Sequence, residues 1–269
     1  MPSRWYVIHV YSGFEKKVAS AIREQAEIKR IEPNGAAIAL VIEHGGRENR
    51  VEGSHLLVAA GRKPRTAGLD LDRAGVRYNG HGIVVDRRLR TDARGVYAIG
   101  DVTNGPRFTH VASYQAGIVI RNALFHLPAR VDYSALPWVT YTDPELAQVG
   151  LTENEARRQH GEDVAVSRFD FAENDRAQTE RETVGTAKIV TRRNGRILGA
   201  SILGAHAGEL AHLWVLAIQQ GLKLSAVAGM LAPYPTFGEV NKMAAVEFYK
   251  PKLFGRWTHA AVRVLLRLP

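Results

Sequence analysis

The sequence predicts an α/β part followed by an α+β module, and three patterns support this division. GVYAIGDV, residues 95–102, is typical of a short buried strand over Val96–Ile99. The apolar residues of THVASYQAGIVIRNALFH, residues 109–126, then predict a mostly buried helix. Farther along, two β-rich runs flank Asn194-Gly195, a strong hairpin signal, and helices follow them. Sheet followed by helices is the order of an α+β module.

The composition indicates a globular protein and excludes several classes. The 269 residues are 45% hydrophobic, carry a net charge of +9 and include no cysteine. Without cysteine the chain has no disulfide, thiolate ligand or cysteine nucleophile. We find no apolar run long enough for a transmembrane helix and no secretory signal, and we expect a cytoplasmic location. The basic residues occur as scattered pairs without interleaved aromatic side chains, so we expect no nucleic-acid partner.

The chain begins with a predicted strand and helix. RWYVIHV, residues 4–10, is aromatic and β-branched, which favours a strand. Ser12 can cap a following helix with Glu15 as its capping-box partner, and we predict that this helix continues to Arg30. The stretch RWYVIHVYSGFEKKVASAIREQ resembles the opening of the bacterial NusG family of transcription elongation factors. We therefore delimit a NusG-like strand-helix segment at residues 1–31.

The following part is predicted as sheet. PNG at residues 33–35 is a turn signal, and AAIALVIE, residues 36–43, is an apolar strand. HGGREN, residues 44–49, is typical of a loop. HLLVAAG, residues 55–61, and IVVD, residues 83–86, predict two more strands.

The last part carries clear local signals for helix ends. Thr152 and Glu155 have the spacing of a capping box. AGELAHLWVLAIQQG predicts a helix that ends at Gly221, and GEVNKMAAVEFYK, residues 238–250, predicts another.

Four motifs in order resemble the pyridine nucleotide-disulfide oxidoreductases, the flavoproteins that include dihydrolipoamide dehydrogenase, glutathione reductase and mercuric reductase. They are LLVAAGRKP (56–64), LRTDARGVYAIGDV (89–102), THVASYQAG (109–117) and WVTYTDPELAQVGLTENEA (138–156). The resemblance implies an incomplete FAD/NAD(P)-binding Rossmann-like part at residues 32–135, with the remnants of both nucleotide-binding domains. It also implies an α+β dimerisation domain at residues 136–255, through which a homodimer would form. A basic amphipathic tail, residues 256–269, follows.

The resemblance also implies which residues contact the cofactors. Asp101 would bind the ribityl chain of FAD, and the amides near Val111 and Ala112 would face the pyrimidine edge of the flavin. Gly61 and Arg62 would lie where the nicotinamide-binding domain returns to the flavin-binding domain. The implied cofactor-binding set is Gly61, Arg62, Gly100, Asp101, Val111 and Ala112. The residues by themselves leave an alternative open, a tight turn with a solvated aspartate.

The phosphate-binding loop of this family has no counterpart in the sequence. The nearest match to G-x-G-x-x-G, Gly80-His81-Gly82, lacks the third glycine and precedes a predicted strand. The redox-active cysteine pair and the second glycine motif, which would hold NAD(P)H, are also missing. We therefore expect weak or no FAD binding in this chain, whereas the intact parent would use both FAD and NAD(P)H.

A second candidate site lies in APYPTFGEVNK, residues 232–242. Where most of the family has a His-Glu pair for acid-base catalysis, Tyr234 takes the histidine position and Glu239 the glutamate position. Tyrosine is a poor base near neutral pH because its pKa is about 10, although it can donate a hydrogen bond. We predict both as catalytic residues. The alternative is an interface aromatic and a helix N-terminal acid. Mercuric reductases also have tyrosine here, but their C-terminal cysteine pair is absent, which argues against mercury as substrate.

Two further features need an interpretation. The histidines show no metal-ligand spacing, so we predict no metal site. The tail can form a helix with an apolar stripe flanked by arginines, which would either lie on a membrane surface or pack on protein. The stripe consists of Trp257, Ala261, Val264 and Leu265, with Arg256, Arg263 and Arg267 beside it.

These observations predict a partial flavin-dependent NAD(P)H oxidoreductase. In the intact parent, electrons would pass from NAD(P)H through FAD to an acceptor. This chain alone is expected to dimerise but to be catalytically inactive. Two other functions stay open, a non-catalytic interaction or dimerisation module and a protein related to transcription elongation factors.

Overall fold

The computed structural model describes most of the chain as two compact units. The described residues are 5–8, 27–35, 37–44, 46–58 and 61–266. The first unit is Met1–Val131 and the second is Asp132–Pro269. In the part of the chain so described, no helix is long and apolar enough to cross a membrane.

The described residues of the first unit form three small sheets and one long helix. Its elements are β1 (Trp5–Ile8), β2 (Glu27–Asn34), β3 (Ala37–His44), β4 (Arg47–Gly53), β5 (His55–Val58), β6 (Tyr78–Asn79), β7 (Gly82–Ile83) and α1 (Thr109–Ala123). Strands β1 and β5 pair in parallel, β2, β3 and β4 form an antiparallel sheet in chain order, and β6 pairs with β7. A 3₁₀ turn, Gly100–Val102, precedes α1.

Two predictions near the start of this unit are wrong. The predicted helix does not reach Arg30, because strand β2 begins at Glu27. This strand pairs with β3 across a turn in which Gly35 has φ +62°, so the PNG turn is confirmed and pairing within the hairpin overrides the helical spacing. The predicted loop at 44–49 becomes strand from Arg47 onward, since β4 pairs with β3. The predicted start of the helix, at Ser12 and Glu15, lies outside the described residues.

The predicted buried strand at Val96–Ile99 is also wrong. Only an isolated bridge between Arg90 and Tyr97 forms there, and Val96 and Ile99 are 41% and 36% exposed. Only Ala98 is buried in this stretch. A strand needs a neighbour to satisfy its backbone groups, and none of the described strands pairs with this one.

Helix α1 is more exposed than predicted, and strand β7 is shorter than predicted. The helix buries one face, with Val111, Gln115 and Ile118, whereas Ile120 is 47% exposed. The IVVD strand is reduced to the two residues Gly82–Ile83.

The second unit is an α+β domain around a five-stranded antiparallel sheet of order β10-β11-β12-β9-β8. Its strands are β8 (Pro137–Thr140), β9 (Glu145–Gly150), β10 (Val164–Asp170), β11 (Thr186–Arg192) and β12 (Ile197–Gly204). Its helices are α2 (Glu153–His160), α3 (Asp175–Glu180), α4 (Ala207–Gln219), α5 (Leu224–Ala228), α6 (Glu239–Glu247), α7 (Lys250–Leu253) and α8 (Arg256–Leu265).

The core of this unit lies between the sheet and helices α4 and α6. Helix α4 packs on β9 and β12, and α6 packs on β10 and β11. Trp214 of α4 is fully buried, and its indole Nε1 donates to Oδ1 of Asn241 on α6 at 2.8 Å. The amide nitrogen of Asn241 donates in turn to the carbonyl of Leu210 at 2.9 Å. These bonds satisfy the polar groups in the apolar core and fix the two helices against each other.

Three local predictions are confirmed in the second unit. The Thr152 hydroxyl accepts from the Glu155 amide at 3.3 Å, and the Glu155 carboxylate accepts from the Thr152 amide at 2.9 Å, which completes the capping box. Gly195 takes φ +84° in the turn between β11 and β12. Gly221, with φ +62°, follows the end of α4 and donates its amide to the carbonyl of Ile218.

Candidate functional site

The turn that presents Asp101 is held by buried polar contacts. The Gly100 amide donates to Oε1 of Gln115 at 2.6 Å, and Gln115, on α1, is 1% exposed. The Thr103 hydroxyl donates to the Gly100 carbonyl at 2.8 Å. Gly100 has φ +70°, and a Cβ on it would lie 3.3 Å from the Cβ of Ala112, so a side chain would be strained and crowded here. The carboxylate of Asp101 is thereby fixed just before the N-terminus of α1.

Arg62 and Asp101 form an ion pair in the structure although they lie 39 positions apart in the sequence. Nη1 of Arg62 lies 2.9 Å from Oδ2 of Asp101, and both side chains are roughly half exposed, at 58% and 41%. Arg62 also donates to the carbonyl of Arg107, and Arg107 donates back to the carbonyl of Arg62 at 3.1 Å. Gly61, with φ +87°, precedes this contact. We call Arg62, the Gly100–Val102 turn and the N-terminus of α1 the Asp101 half-site. It pairs a carboxylate with a guanidinium, and a sugar hydroxyl would share the carboxylate with Arg62.

At the N-terminus of α1, only some of the backbone amides expected to face the flavin lack an acceptor within the helix. The Ala112 amide donates to the carbonyl of Phe108 at 3.0 Å, so it is already used within the helix. Val111 lies in the preceding turn, where helix geometry leaves amides without an intrahelical acceptor, although its side chain is buried. Such amides favour negative charge on a nearby group.

Within Gly80-His81-Gly82, the second glycine has a structural role in backbone packing. A Cβ on Gly82, which has φ +124°, would lie 2.5 Å from the Val102 carbonyl oxygen and 2.7 Å from the backbone of Thr103. Gly82 therefore permits close approach of two backbone segments. Gly80 has no heavy atom within 4 Å of its would-be Cβ.

A cavity of about 490 Å³ elsewhere in the first unit contains none of the predicted site residues. It is lined by segments between Arg77 and Tyr97. Four of its charged side chains form ion pairs, Arg77 with Asp92 at 3.0 Å and Arg90 with Asp86 at 2.7 Å. In the described part of the chain, no group of three or more histidine, aspartate or glutamate side chains could hold a metal ion.

In the second unit, Tyr234 forms a hydrogen bond that the sequence did not indicate. Its hydroxyl donates to Oδ2 of Asp175 at 2.7 Å, and the tyrosine side chain is 69% exposed. Asp175 is the first residue of α3 and lies 59 residues earlier in the chain. Neither spacing nor composition connects the two positions, so only the fold reveals this partner.

This hydrogen bond raises the pKa of Tyr234. The bond to Asp175 is the main cause that raises the pKa of the phenol above its usual value, and the charge of Asp175, slight desolvation and the charge of Glu239 raise it further. A tyrosine is already protonated near neutral pH at its ordinary pKa of about 10, and the raised pKa keeps this phenol a hydrogen-bond donor to higher pH.

Glu239 has a structural role in the same loop. It is the first residue of α6, and its carboxylate accepts from the Thr236 amide at 3.5 Å. The Thr236 carbonyl accepts from the side chain of Asn174 at 3.1 Å, and the side chain of Asn174 also caps α3 through the Ala177 amide at 2.9 Å. The single proton of the Tyr234 hydroxyl is donated to Asp175 and not to Glu239, so the two predicted residues lie in one loop without a direct proton link.

Two parts of the chain match one protein family. Residues 15–116 match the pyridine nucleotide-disulphide oxidoreductase domain, and residues 136–245 match the dimerisation domain of the same family. The chain therefore belongs to the pyridine nucleotide-disulphide oxidoreductases, a family of FAD-dependent enzymes. The first match starts inside the segment 1–31, and nothing found supports a NusG-like origin for that segment.

Among curated proteins, mercuric reductase of Staphylococcus aureus is 38% identical over 224 residues, which are 82% of this chain and 41% of that protein. Dihydrolipoyl dehydrogenase of Bacillus subtilis is 34% identical over 250 residues, 88% of this chain and 53% of that protein. The chain thus spans about half the length of the curated relatives it matches.

Solved structures agree with this assignment. The Cu(II) complex of the HOCl-induced flavoprotein disulfide reductase RclA from Escherichia coli matches with a TM-score of 0.74 at 29% identity, over 85% of this chain and 53% of that one. LpdA from Mycobacterium tuberculosis matches with a TM-score of 0.73 at 29% identity, over 82% and 48%. The predicted fold class, Rossmann-like elements followed by a dimerisation domain, is confirmed.

Proposed function

We propose that this chain supplies the C-terminal half of a flavin-dependent pyridine nucleotide-disulfide oxidoreductase, forms a homodimer through residues 136–255 and does not turn over NAD(P)H by itself. In the intact enzyme, electrons would pass from NAD(P)H through FAD to an acceptor. The main support is the contrast between the complete sheet and core of the second unit and the half-site at Asp101, which has a carboxylate and a helix N-terminus but no phosphate loop in the sequence.

The second unit presents a loop suited to a partner subunit. Leu231 is 99% exposed and Tyr234 is 69% exposed, and the loop is fixed by the bonds to Asn174 and Asp175. Exposed apolar and aromatic side chains on a rigid loop are typical of a protein interface. We propose that this loop faces the active site of the other subunit, where the Tyr234 hydroxyl would donate a hydrogen bond and Glu239 would hold the loop conformation.

FAD, if bound, would use the residues of the Asp101 half-site. Asp101 would accept from a ribityl hydroxyl, and the amides near Val111 would face the negative charge that develops on the reduced flavin. Arg62 would compete with the ribityl hydroxyl for Asp101. The sequence also has no glycine-rich loop to bind the phosphates of FAD, so we propose weak or absent FAD binding.

The visible absorption spectrum and the mass of the purified chain test this proposal. We expect a dimer by light scattering, no flavin spectrum after gel filtration, and no reduction of a dye acceptor by NADH or NADPH. A flavin that survives gel filtration, or measurable turnover, would disprove the proposed inactivity. A monomer would disprove the proposed interface independently of the flavin result.

A second candidate is a non-catalytic module that pairs with a full-length reductase subunit, favoured by the complete dimerisation domain. Mixed dimers with a cognate reductase in native mass spectrometry would support it. A cytoplasmic location and a transcription-related role for residues 1–31 remain predictions from the sequence. Cell fractionation and co-purification with RNA polymerase would test them.

A further inference from the structure

The chain ends in a segment with positive charge only. After Glu247 the sequence contains no acidic residue, and its five cations are Lys250, Lys252, Arg256, Arg263 and Arg267. The match to the dimerisation domain ends at residue 245, and this segment lies beyond that match.

The segment also exposes apolar side chains. In α7 and just after it, Leu253 is 56% and Phe254 is 71% exposed. In α8 and at its end, Val264 and Leu265 are each 63% exposed, and Leu266 is 79% exposed. Exposed apolar side chains in this number within one short segment indicate an interaction surface.

Helix α8 separates the two kinds of side chain. Arg256, His259 and Arg263 recur at intervals of three and four residues and lie on one face, whereas Val264 and Leu265 lie towards the opposite side. Within residues 61–266, as the structure describes them, no carboxylate forms an ion pair with Arg256 or Arg263. Arginines beside an exposed apolar stripe are typical of a helix that lies in a membrane interface.

We propose that α7 and α8, Lys250–Leu265, form an amphipathic surface that binds an anionic lipid bilayer. The apolar stripe would enter the boundary between headgroups and acyl chains, and Arg256 and Arg263 would contact phosphate groups, whereas Lys250 already pairs with Glu247. Charge complementarity favours this occupant over a second copy of the chain, because each copy would bring the same cations and a net charge of +9 to the contact.

Co-sedimentation of the full chain with vesicles tests this inference. We expect binding to phosphatidylcholine vesicles that contain about one third phosphatidylglycerol, weak binding to pure phosphatidylcholine, and release when salt is raised to about 0.5 M. Equal binding to both vesicles, or no binding to the anionic ones, would overturn the inference.

Matched double variants locate the surface. Arg256→Glu with Arg263→Glu should weaken binding about tenfold or more, whereas Arg158→Glu with Arg196→Glu makes the same charge change at other exposed positions and should weaken it much less. Val264→Ser with Leu265→Ser should also weaken binding without any change in charge. Leu69→Ser with Val184→Ser, at residues that are 51% and 65% exposed, is its control.

Two other results would assign the segment differently. If the tail variants left vesicle binding unchanged but altered the mass of the oligomer, the segment would be a contact between protein chains. If test and control variants reduced binding equally, only the overall charge would matter, and the proposed surface would be wrong. Circular dichroism of every variant verifies that the chain remains folded, and the result is independent of flavin content or turnover.

Discussion

Two apolar stretches of this chain, one in each unit, are buried very differently. In the second unit, Ile189 and Val190 of β11 are fully buried because β10 and β12 flank their strand and helices cover it. In the first unit, Val96 and Ile99 belong to an equally apolar stretch and are 41% and 36% exposed. The difference shows that an apolar sequence becomes a buried strand only when neighbouring strands are available.

The cores of the units differ in the same way. The second unit has a continuous core that includes Phe171 and Trp214, both 0% exposed. Among the described residues of the first unit, Val76, Ile83 and Ala98 form a small cluster. Burial of apolar surface is the main favourable term in folding, so we expect the second unit to contribute most of the stability.

The largest expected effect is the loss of the central side chain of the second unit. Trp214→Ala would leave a cavity and an unsatisfied Asn241, and should lower the free energy of unfolding by about 3–5 kcal/mol. Urea denaturation followed by circular dichroism measures this. Val184→Ala, at a residue that is 65% exposed, is the control and should change little. Similar losses in both variants would refute the assigned core.

The second effect concerns the close backbone approach in the first unit. Gly82→Ala would place a Cβ against the Val102 carbonyl at positive φ, and should destabilise this unit by about 1–3 kcal/mol. Gly80→Ala, two residues away in open space, should stay within about 0.5 kcal/mol. Hydrogen exchange of the first unit compares the two variants. Equal protection in both would mean that the contact does not stabilise the unit.

A smaller effect is expected from the capping box of α2. Thr152→Ala removes the hydroxyl that accepts from the Glu155 amide, and should cost about 1 kcal/mol in the unfolding of the second unit. Thr152→Ser keeps this acceptor and should recover most of the loss in thermal denaturation. If serine were as destabilising as alanine, the methyl group and not the cap would explain the effect.

The last prediction concerns ionisation more than stability. Since the hydrogen bond to Asp175 raises the pKa of Tyr234, Asp175→Asn should let this phenol ionise at lower pH. Because the pKa is raised in the folded state, the bond stabilises the fold fully at pH values below the ordinary tyrosine pKa of about 10. This contribution to stability is lost as the pH rises through the raised pKa. Ultraviolet difference titration follows the phenolate, and Tyr234→Phe identifies its signal.

The control for this titration is Asp170→Asn, at another exposed carboxylate of the second unit, which should leave the signal unchanged. An unaltered titration in Asp175→Asn would contradict the assigned hydrogen bond. That result would not contradict the loop conformation, because the bond between Asn174 and Thr236 also holds the loop.

Sequence reasoning succeeded where a few neighbouring residues decide the structure. The cap at Thr152, the turn at Asn194-Gly195 and the helix end at Gly221 each depend on contacts within a few positions. The ordered motifs also indicated the family and its two parts. It failed at Arg30, where pairing with the next strand of a hairpin overrides the helical spacing, and at Val96–Ile99, where none of the described strands pairs with the stretch.

The sequence by itself determined the family, the order of the domain parts and the local caps and turns, because these depend on short-range patterns that the chain carries in any context. Only the tertiary structure decided that Asp101 pairs with Arg62, that Tyr234 donates to Asp175 and that Gly82 serves a backbone contact. These contacts join positions far apart in the chain. Their partners follow from how strands and helices pack, which no local spacing specifies.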